Sequence, residues 1–203
     1  MKTKILDCTL RDGGYYTNWD FDESVIDNYI KYTNELDIEY IEIGYRNKNK
    51  LKDYKGQFYY TPQHTLKYFK KNSRHKIALM IDFKLLKTDE IKHLLSDAKG
   101  LVSLIRVAVA PSNLNRIQNF VNEIKSMGFK VAINIMYLSE WNLIDISKTL
   151  SITQNVDYIY LVDSYGSVFP DQIEKIISNL KKIKKNKLGF HSHDNLELAF
   201  ANT

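Results

Sequence analysis

The sequence predicts an α/β fold, a (β/α)8 TIM barrel that breaks off after its seventh strand. Three observations predict it. Short runs rich in Ile, Val and Tyr recur along the 203 residues, each with the length and composition of a parallel strand covered on both faces. Helical patterns separate these runs, and one-to-one alternation of strand and helix implies a parallel sheet. No glycine-rich dinucleotide fingerprint follows the first run, which favours a barrel over a doubly wound sheet.

The elements follow in order. The first strand is "KILDCTL" from Lys4, stopped by an Arg-Asp-Gly-Gly turn, and the helix "DESVIDNYIKYTNEL" follows from Asp22. The second strand, "IEYIEIG" from Ile38, leads into the tyrosine-rich loop "DYKGQFYYTPQ" from Asp53, long enough to shape access to a site. Strands three and four are "KIALMID" from Lys76 and "LIRVAVA" from Leu104. The helix "NLNRIQNFVNEIKSMG" from Asn113 stops on Gly128. Strands five and six are "KVAINIM" from Lys130 and "DYIYLVD" from Asp157. The next helix begins on Pro170, where a missing N–H costs nothing. Strand seven is "KLGFHSH" from Lys187, with Asn195 expected to cap the helix after it. An eighth strand and helix are expected to be missing, so that residues 1–203 form a single barrel domain, incomplete at its C-terminus.

Composition narrows the function. The 44% hydrophobic and 12% aromatic content suits one packed core. The net charge of +5 is mild, and the basic run "KKIKKNK" from Lys181 reads as a solvated helix end without the aromatic platform of a nucleic-acid site. No apolar stretch approaches a membrane span and no signal peptide opens the chain, so a cytoplasmic enzyme is expected. The single cysteine, Cys8, excludes an internal disulfide and a cysteine-based zinc or iron–sulfur site, and its place in an apolar run suggests a small buried residue.

In a parallel barrel the active site gathers at the carboxyl ends of the strands. That rule collects Asp12 after strand one, Glu42 at the end of strand two, Asp163 and Ser164 at strand six, and His191 and His193 at strand seven. Residues two apart on a strand share a side, so His191 and His193 address one point. Two imidazoles and the Asp12 carboxylate suit a divalent cation. The competing reading is a pair of hydrogen-bonded core or loop histidines.

Together "LDCTLRDGGY", "YIEIGY", "VDSYG" and "GFHSHDNLELAFANT" resemble the metal-dependent lyase and synthase superfamily of TIM barrels. That group includes 3-hydroxy-3-methylglutaryl-CoA lyase, isopropylmalate synthase and 4-hydroxy-2-oxovalerate aldolase, and the turn after strand six with the "IRVA" run is most similar to the aldolase branch. The resemblance implies Asp12, His191 and His193 as metal ligands, Arg11 as the stabiliser of an enolate, and Glu42 as the partner that holds Arg11. It implies manganese or magnesium as the ion, with zinc as a third candidate. In the aldolase branch the residue four after this arginine is a histidine that acts as base; here it is Tyr15, expected to position substrate. His64 is an alternative base or a surface residue.

The expected activity is a carbon–carbon lyase of the aldolase type. Cleavage or formation of a bond beside the keto group of a 2-oxo acid passes through a pyruvate-type enolate, which a divalent cation and a guanidinium stabilise. Gly13 and Gly14 are expected to let the backbone pass close to both. The rivals are a Claisen-type acyl transferase using acetyl-CoA, against which Tyr15 argues because that branch carries glutamine there, and a non-catalytic truncated barrel. Arg106 on strand four either binds a substrate carboxylate or pairs with an acid in the barrel core, and Asn134 on strand five is a weaker substrate contact. Ser164 either contacts substrate or caps a turn. A 2-oxo acid is the expected small-molecule partner, without nucleic acid or membrane, and a homo-oligomer or a partner dehydrogenase is left open.

Overall fold

The computed structural model describes residues 3–48, 53–152, 155–180 and 187–203. Residues 181–186 of the basic run lie outside the described residues. Among the described residues seven parallel strands pair in chain order: β1 (Leu6–Asp7), β2 (Tyr40–Tyr45), β3 (Lys76–Asp82), β4 (Leu104–Val109), β5 (Lys130–Ile135), β6 (Tyr158–Val162) and β7 (Leu188–His191). Consecutive parallel neighbours joined by helical crossovers are the plan of a (β/α)8 barrel, here present over seven strands. The sheet curls, because Cys8 after edge strand β1 reaches His191 at the end of edge strand β7.

Alternation along each strand builds two apolar layers. Ile41, Ile43, Ile77, Leu79, Ile81, Ile105, Val107, Val131, Ile133, Ile159 and Leu161 belong to the large core between sheet and helices. Tyr40, Ala78, Leu104 and Ala132 form a separate cluster with Leu6, Tyr158 and Tyr160, lining the concave side. The rings of Tyr40 on β2 and Tyr158 on β6 lie 6.4 Å apart, so aromatics fill the space between non-adjacent strands. Gly189 on β7 makes room for one of them: a β-carbon there would lie 2.7 Å from the Tyr160 ring.

Helix α2 (Glu23–Thr33) turns Ile26, Ile30 and Thr33 inward, and α6 (Ile117–Ser126) buries Ile117, Phe120, Val121 and Ile124, the spacing of a helix with one apolar face. A 3-10 turn at Pro111–Arg116 precedes α6, so the regular helix starts later than the sequence pattern suggests. Helices α3 (Gln57–Tyr60), α4 (Gln63–Asn72), α5 (Ile91–Leu95) and α7 (Leu143–Ser151) fill the intervening crossovers. Helix α8 (Pro170–Asn179) begins on its proline as expected, and α9 (Ala199–Asn202) follows β7.

Two expectations need correction. The Arg-Asp-Gly-Gly stretch is not a turn but part of α1 (Thr9–Thr17). Asp7 ends β1 and starts that helix, since its carboxylate accepts from the Thr9 N–H and hydroxyl and from Tyr29. Asn195 does not cap the last helix as expected: the cap position is Leu198, and the Ala199 N–H donates to the Asp194 carboxylate. Asn195 instead packs beside Gly166, whose φ of 58° leaves no room for a side chain: a β-carbon would lie 2.7 Å from the Asn195 N.

Candidate active site

Helix α1 places the first two site residues. Arg11 and Asp12 are ion-paired neighbours, and the Asp12 N–H donates to the Cys8 carbonyl at 2.9 Å, which fixes Cys8 and Asp12 one helical turn apart. The bulky end of the same loop locks this helix in place. Trp19 folds back with φ of 57°, its indole N–H donates to the Arg11 carbonyl at 2.9 Å, and its ring occupies the space a β-carbon on Gly14 would need. Gly14 therefore serves close packing within a helix, not passage of a flexible turn, while Gly13 faces open space.

Strand β2 supplies the buried counter-charge. Glu42 is fully buried, and its Oε2 accepts from Arg11 Nε at 2.8 Å and from Arg106 Nη1 at 2.7 Å. Arg106, also fully buried, donates from Nε to Asn134 at 3.1 Å and lies 4.3 Å above the Tyr160 ring. Arg106 thus meets an acid in the barrel core, and Asn134 meets Arg106. Glu42 Oε1 and Arg106 Nη2 are buried without a protein partner. The register between β2 and β3 slips by one residue after Glu42, and Gly44 in that bulge gives the α3 backbone the place of a side chain.

Strand β7 closes the constellation. His191 Nε2 lies 3.4 Å from Asp12 Oδ2, and Cys8 Sγ lies 3.2 Å from the same oxygen and 3.9 Å from His191 Nδ1. One donor atom from each of Cys8, Asp12 and His191 falls within 4.8 Å of the others, an arrangement able to hold a metal ion. His193 stands beside this group, its ring edge-to-face with His191 at 4.9 Å. Its Nδ1 lies 2.7 Å from the Asp163 carbonyl, an obligate acceptor, so Nδ1 carries a proton and Nε2 is the nitrogen left to address a ligand.

Burial, reinforced by Arg106, Arg11 and His193, holds the His191 pKa well below its ordinary value, so the ring is neutral and its contact with Asp12 is not an ion pair at neutral pH. Burial also pushes the Cys8 thiol up to about 12, so in the absence of a metal it keeps its proton and donates to Asp12. Arg11 is held charged by Glu42 and Asp12 against the cost of its own burial.

The remaining sequence candidates take other contacts. Asp163 is fully buried, and its carboxylate accepts from the N–H groups of Ser167 and Val168, folding the turn after β6. The Ser164 hydroxyl accepts from the Tyr137 N–H at 2.9 Å, joining the loops after β5 and β6. Tyr15 is largely exposed, with its hydroxyl 2.8 Å from that of Tyr45. His64 is exposed on α4. Tyr15, Trp19, Tyr45 and Tyr59 wall a cavity of about 300 Å³ that also carries Asn47, Lys55 and Asp82. The Arg11 guanidinium lies behind this wall, 6.0 Å from the centre of the Tyr45 ring.

Sequence reasoning missed Cys8, Trp19 and Tyr45. Cys8 is half-buried at the site rather than submerged in the core. Its spacing of four before Asp12 was the available signal, but it speaks only once "TLRD" is known to be helical. Nothing local marks Trp19 as the clamp on Arg11.

The family model described as HMGL-like matches residues 2–203. The chain belongs to the HMGL-like family. Among curated relatives in this family, an oxaloacetate decarboxylase from Mycobacterium tuberculosis is 24% identical over 207 residues, covering 98% of this chain and 59% of the relative. A 4-hydroxy-2-oxovalerate aldolase from Geobacillus genomosp. 3 is 27% identical over 208 residues, covering 98% and 60%. The HMGL-like chain thus spans about three fifths of the length of these relatives. The crystal structure of the N-terminal domain of a candidate aldolase from Bacteroides vulgatus superposes with a TM-score of 0.93 at 44% identity, covering 98% of this chain and 67% of that one. The HMG-CoA lyase from Brucella melitensis shares the fold at a TM-score of 0.69 and 14% identity, covering 98% and 75%. No helix among the described residues is long and apolar enough to cross a membrane.

Proposed function

We propose that this chain carries the site of a divalent-metal-dependent aldolase or lyase that makes or breaks a carbon–carbon bond beside the keto group of a 2-oxo acid. The observation that carries the reading is Arg11 and Asp12 side by side on α1, with Glu42 bonded to the first and His191 facing the second. Relatives named for oxaloacetate and for 4-hydroxy-2-oxovalerate, both 2-oxo acids, support the substrate class.

Asp12, His191 and His193 would hold the ion: a carboxylate with a neutral imidazole against it, and a second imidazole whose free nitrogen is set by a backbone carbonyl. One carboxylate and two imidazoles suit manganese or zinc somewhat better than magnesium. When bound, the ion supplies Lewis-acid polarisation of the keto oxygen.

The chain's own residues do the rest. Arg11 spends Nε on Glu42 and Nη1 on Asp12, which leaves Nη2 to donate to the oxygen on which negative charge develops. Glu42 fixes the guanidinium plane and Trp19 fixes the backbone beneath it, so the donor is set before substrate arrives. Tyr15 and Tyr45 border the cavity beside Arg11 and would pack against the part of the substrate beyond the keto acid. Tyr15 is a positioning group rather than the base, since its hydroxyl is engaged with Tyr45.

Proton exchange at the pyruvate methyl in D2O, followed by NMR with added Mn²⁺, tests the reading without knowledge of the aldehyde. Exchange that needs both the metal and Arg11 is the expected result. A folded, metal-loaded chain that leaves the methyl protons untouched would overturn it.

A further inference from the structure

We propose that Cys8 is a sulfur ligand of the ion held by Asp12, His191 and His193, and that it biases the site toward zinc-type ions over magnesium. The proposal rests on the metal-site reading above and adds a donor that reading does not use.

Spacing is the first argument. Donors bound about 2.0–2.3 Å from one ion sit roughly 2.8–3.8 Å from each other at octahedral or tetrahedral angles, and an ion with five or six donors keeps a position for the keto oxygen beside these four. Cys8 Sγ is 3.2 Å from Asp12 Oδ2, and Asp12 Oδ2 is 3.4 Å from His191 Nε2. The sulfur–oxygen and oxygen–nitrogen separations are nearly those one ion demands, and one donor atom from each of the three residues lies within 4.8 Å of the others. Rigidity is the second argument. The Asp12 N–H to Cys8 carbonyl bond holds the two backbones one turn apart, which keeps the thiol and the carboxylate on neighbouring positions of α1. Surroundings are the third. A cysteine kept for packing sits among apolar side chains, whereas Cys8 Sγ faces the carboxylate of Asp12 and the ring of His191.

On coordination the thiol proton passes to solvent, and the S–H···Oδ2 bond to Asp12 is replaced by bonds from both atoms to the ion. Thiolate is a soft donor, so its presence favours zinc and cobalt over the oxygen-seeking magnesium.

Cobalt(II) is the probe, titrated into the metal-free chain and into Cys8→Ser, with the absorption spectrum recorded. The expected result is visible d–d bands in both proteins, with a near-ultraviolet thiolate-to-cobalt charge-transfer band only in the parent. Cobalt affinity in Cys8→Ser should fall by about tenfold or more, and the zinc-to-magnesium preference should fall with it. Equal d–d bands and equal affinity in both proteins, with no charge-transfer band, would overturn the role of Cys8 and leave the metal site standing. Absence of any cobalt bands in a chain that circular dichroism finds folded would overturn the metal site and this inference together.

Discussion

Glu42 and Asp12 are both carboxylates and both bind Arg11, yet they live in different worlds. The Glu42 side chain is 0% exposed, wedged between two guanidiniums on the concave side of the sheet. The Asp12 side chain is 27% exposed at the rim, with a thiol and an imidazole against its outer oxygen. The inner carboxylate accepts from both guanidiniums on one oxygen, Oε2, so its work is to hold. The outer one faces neutral donors, a thiol and an imidazole, and is the carboxylate the proposed ion would use. One arginine joins the two regions and transmits the order of the core to the rim.

Breaking the joint tests the comparison hardest. Arg11→Lys keeps a positive charge but loses the planar fork, and methyl-proton exchange of pyruvate should fall by about 10²–10³-fold. Full exchange in that variant would mean that Arg11 is only structural. Breaking the inner region alone comes next: Glu42→Gln leaves Arg106 buried without an acid and Arg11 with Asp12 alone, at a cost of about 3 kcal/mol or more in urea unfolding. A loss below about 1 kcal/mol would mean the core does not depend on that carboxylate.

Alkali separates the regions by another route. Burial first, aided for Tyr29 by Asp7 and for Tyr45 by Tyr15, raises the hydroxyls of Tyr29, Tyr40, Tyr45 and Tyr160 above their ordinary value of 10. The unfolded chain loses these protons from about pH 10 upward while the folded chain keeps them. Stability is therefore intact below pH 10 and falls as pH rises beyond it, by up to about 1.4 kcal/mol per pH unit for each tyrosine. Urea midpoints at pH 9 and 11 check this, and equal midpoints would contradict it. The two glycines of α1 give the smallest effects. Gly14→Ala displaces the Trp19 ring and should cost about 1–3 kcal/mol. Gly13→Ala enters open space in a helix and should gain about 0.5–1 kcal/mol in thermal melts.

Most of the fold was legible because parallel strands announce themselves as apolar runs, and β3 has the bounds the sequence suggests. The start of α1 was not legible, because two glycines inside a helix contradict local propensity and only the contact with Trp19 explains one of them. At the site, the meeting of Asp12 with His191 could be read from strand order. The placing of Cys8 could not, since it depends on a helix that begins one residue after it. Arg106 offered two readings to sequence, a substrate carboxylate or a core acid, and its contact with Glu42 depends on the inward faces of two strands that are not neighbours.

The central claim is that the rim formed by Asp12 and His191 holds a divalent ion which the inner charges do not. Calorimetric titration of Mn²⁺, followed by oxalate as an enolate mimic, into the chain and its Asp12→Ala variant tests it most directly. The account predicts one metal site per chain that is lost in the variant, with oxalate binding only to the metal-loaded protein. Equal Mn²⁺ binding by Asp12→Ala, or none by the folded parent chain, would contradict it.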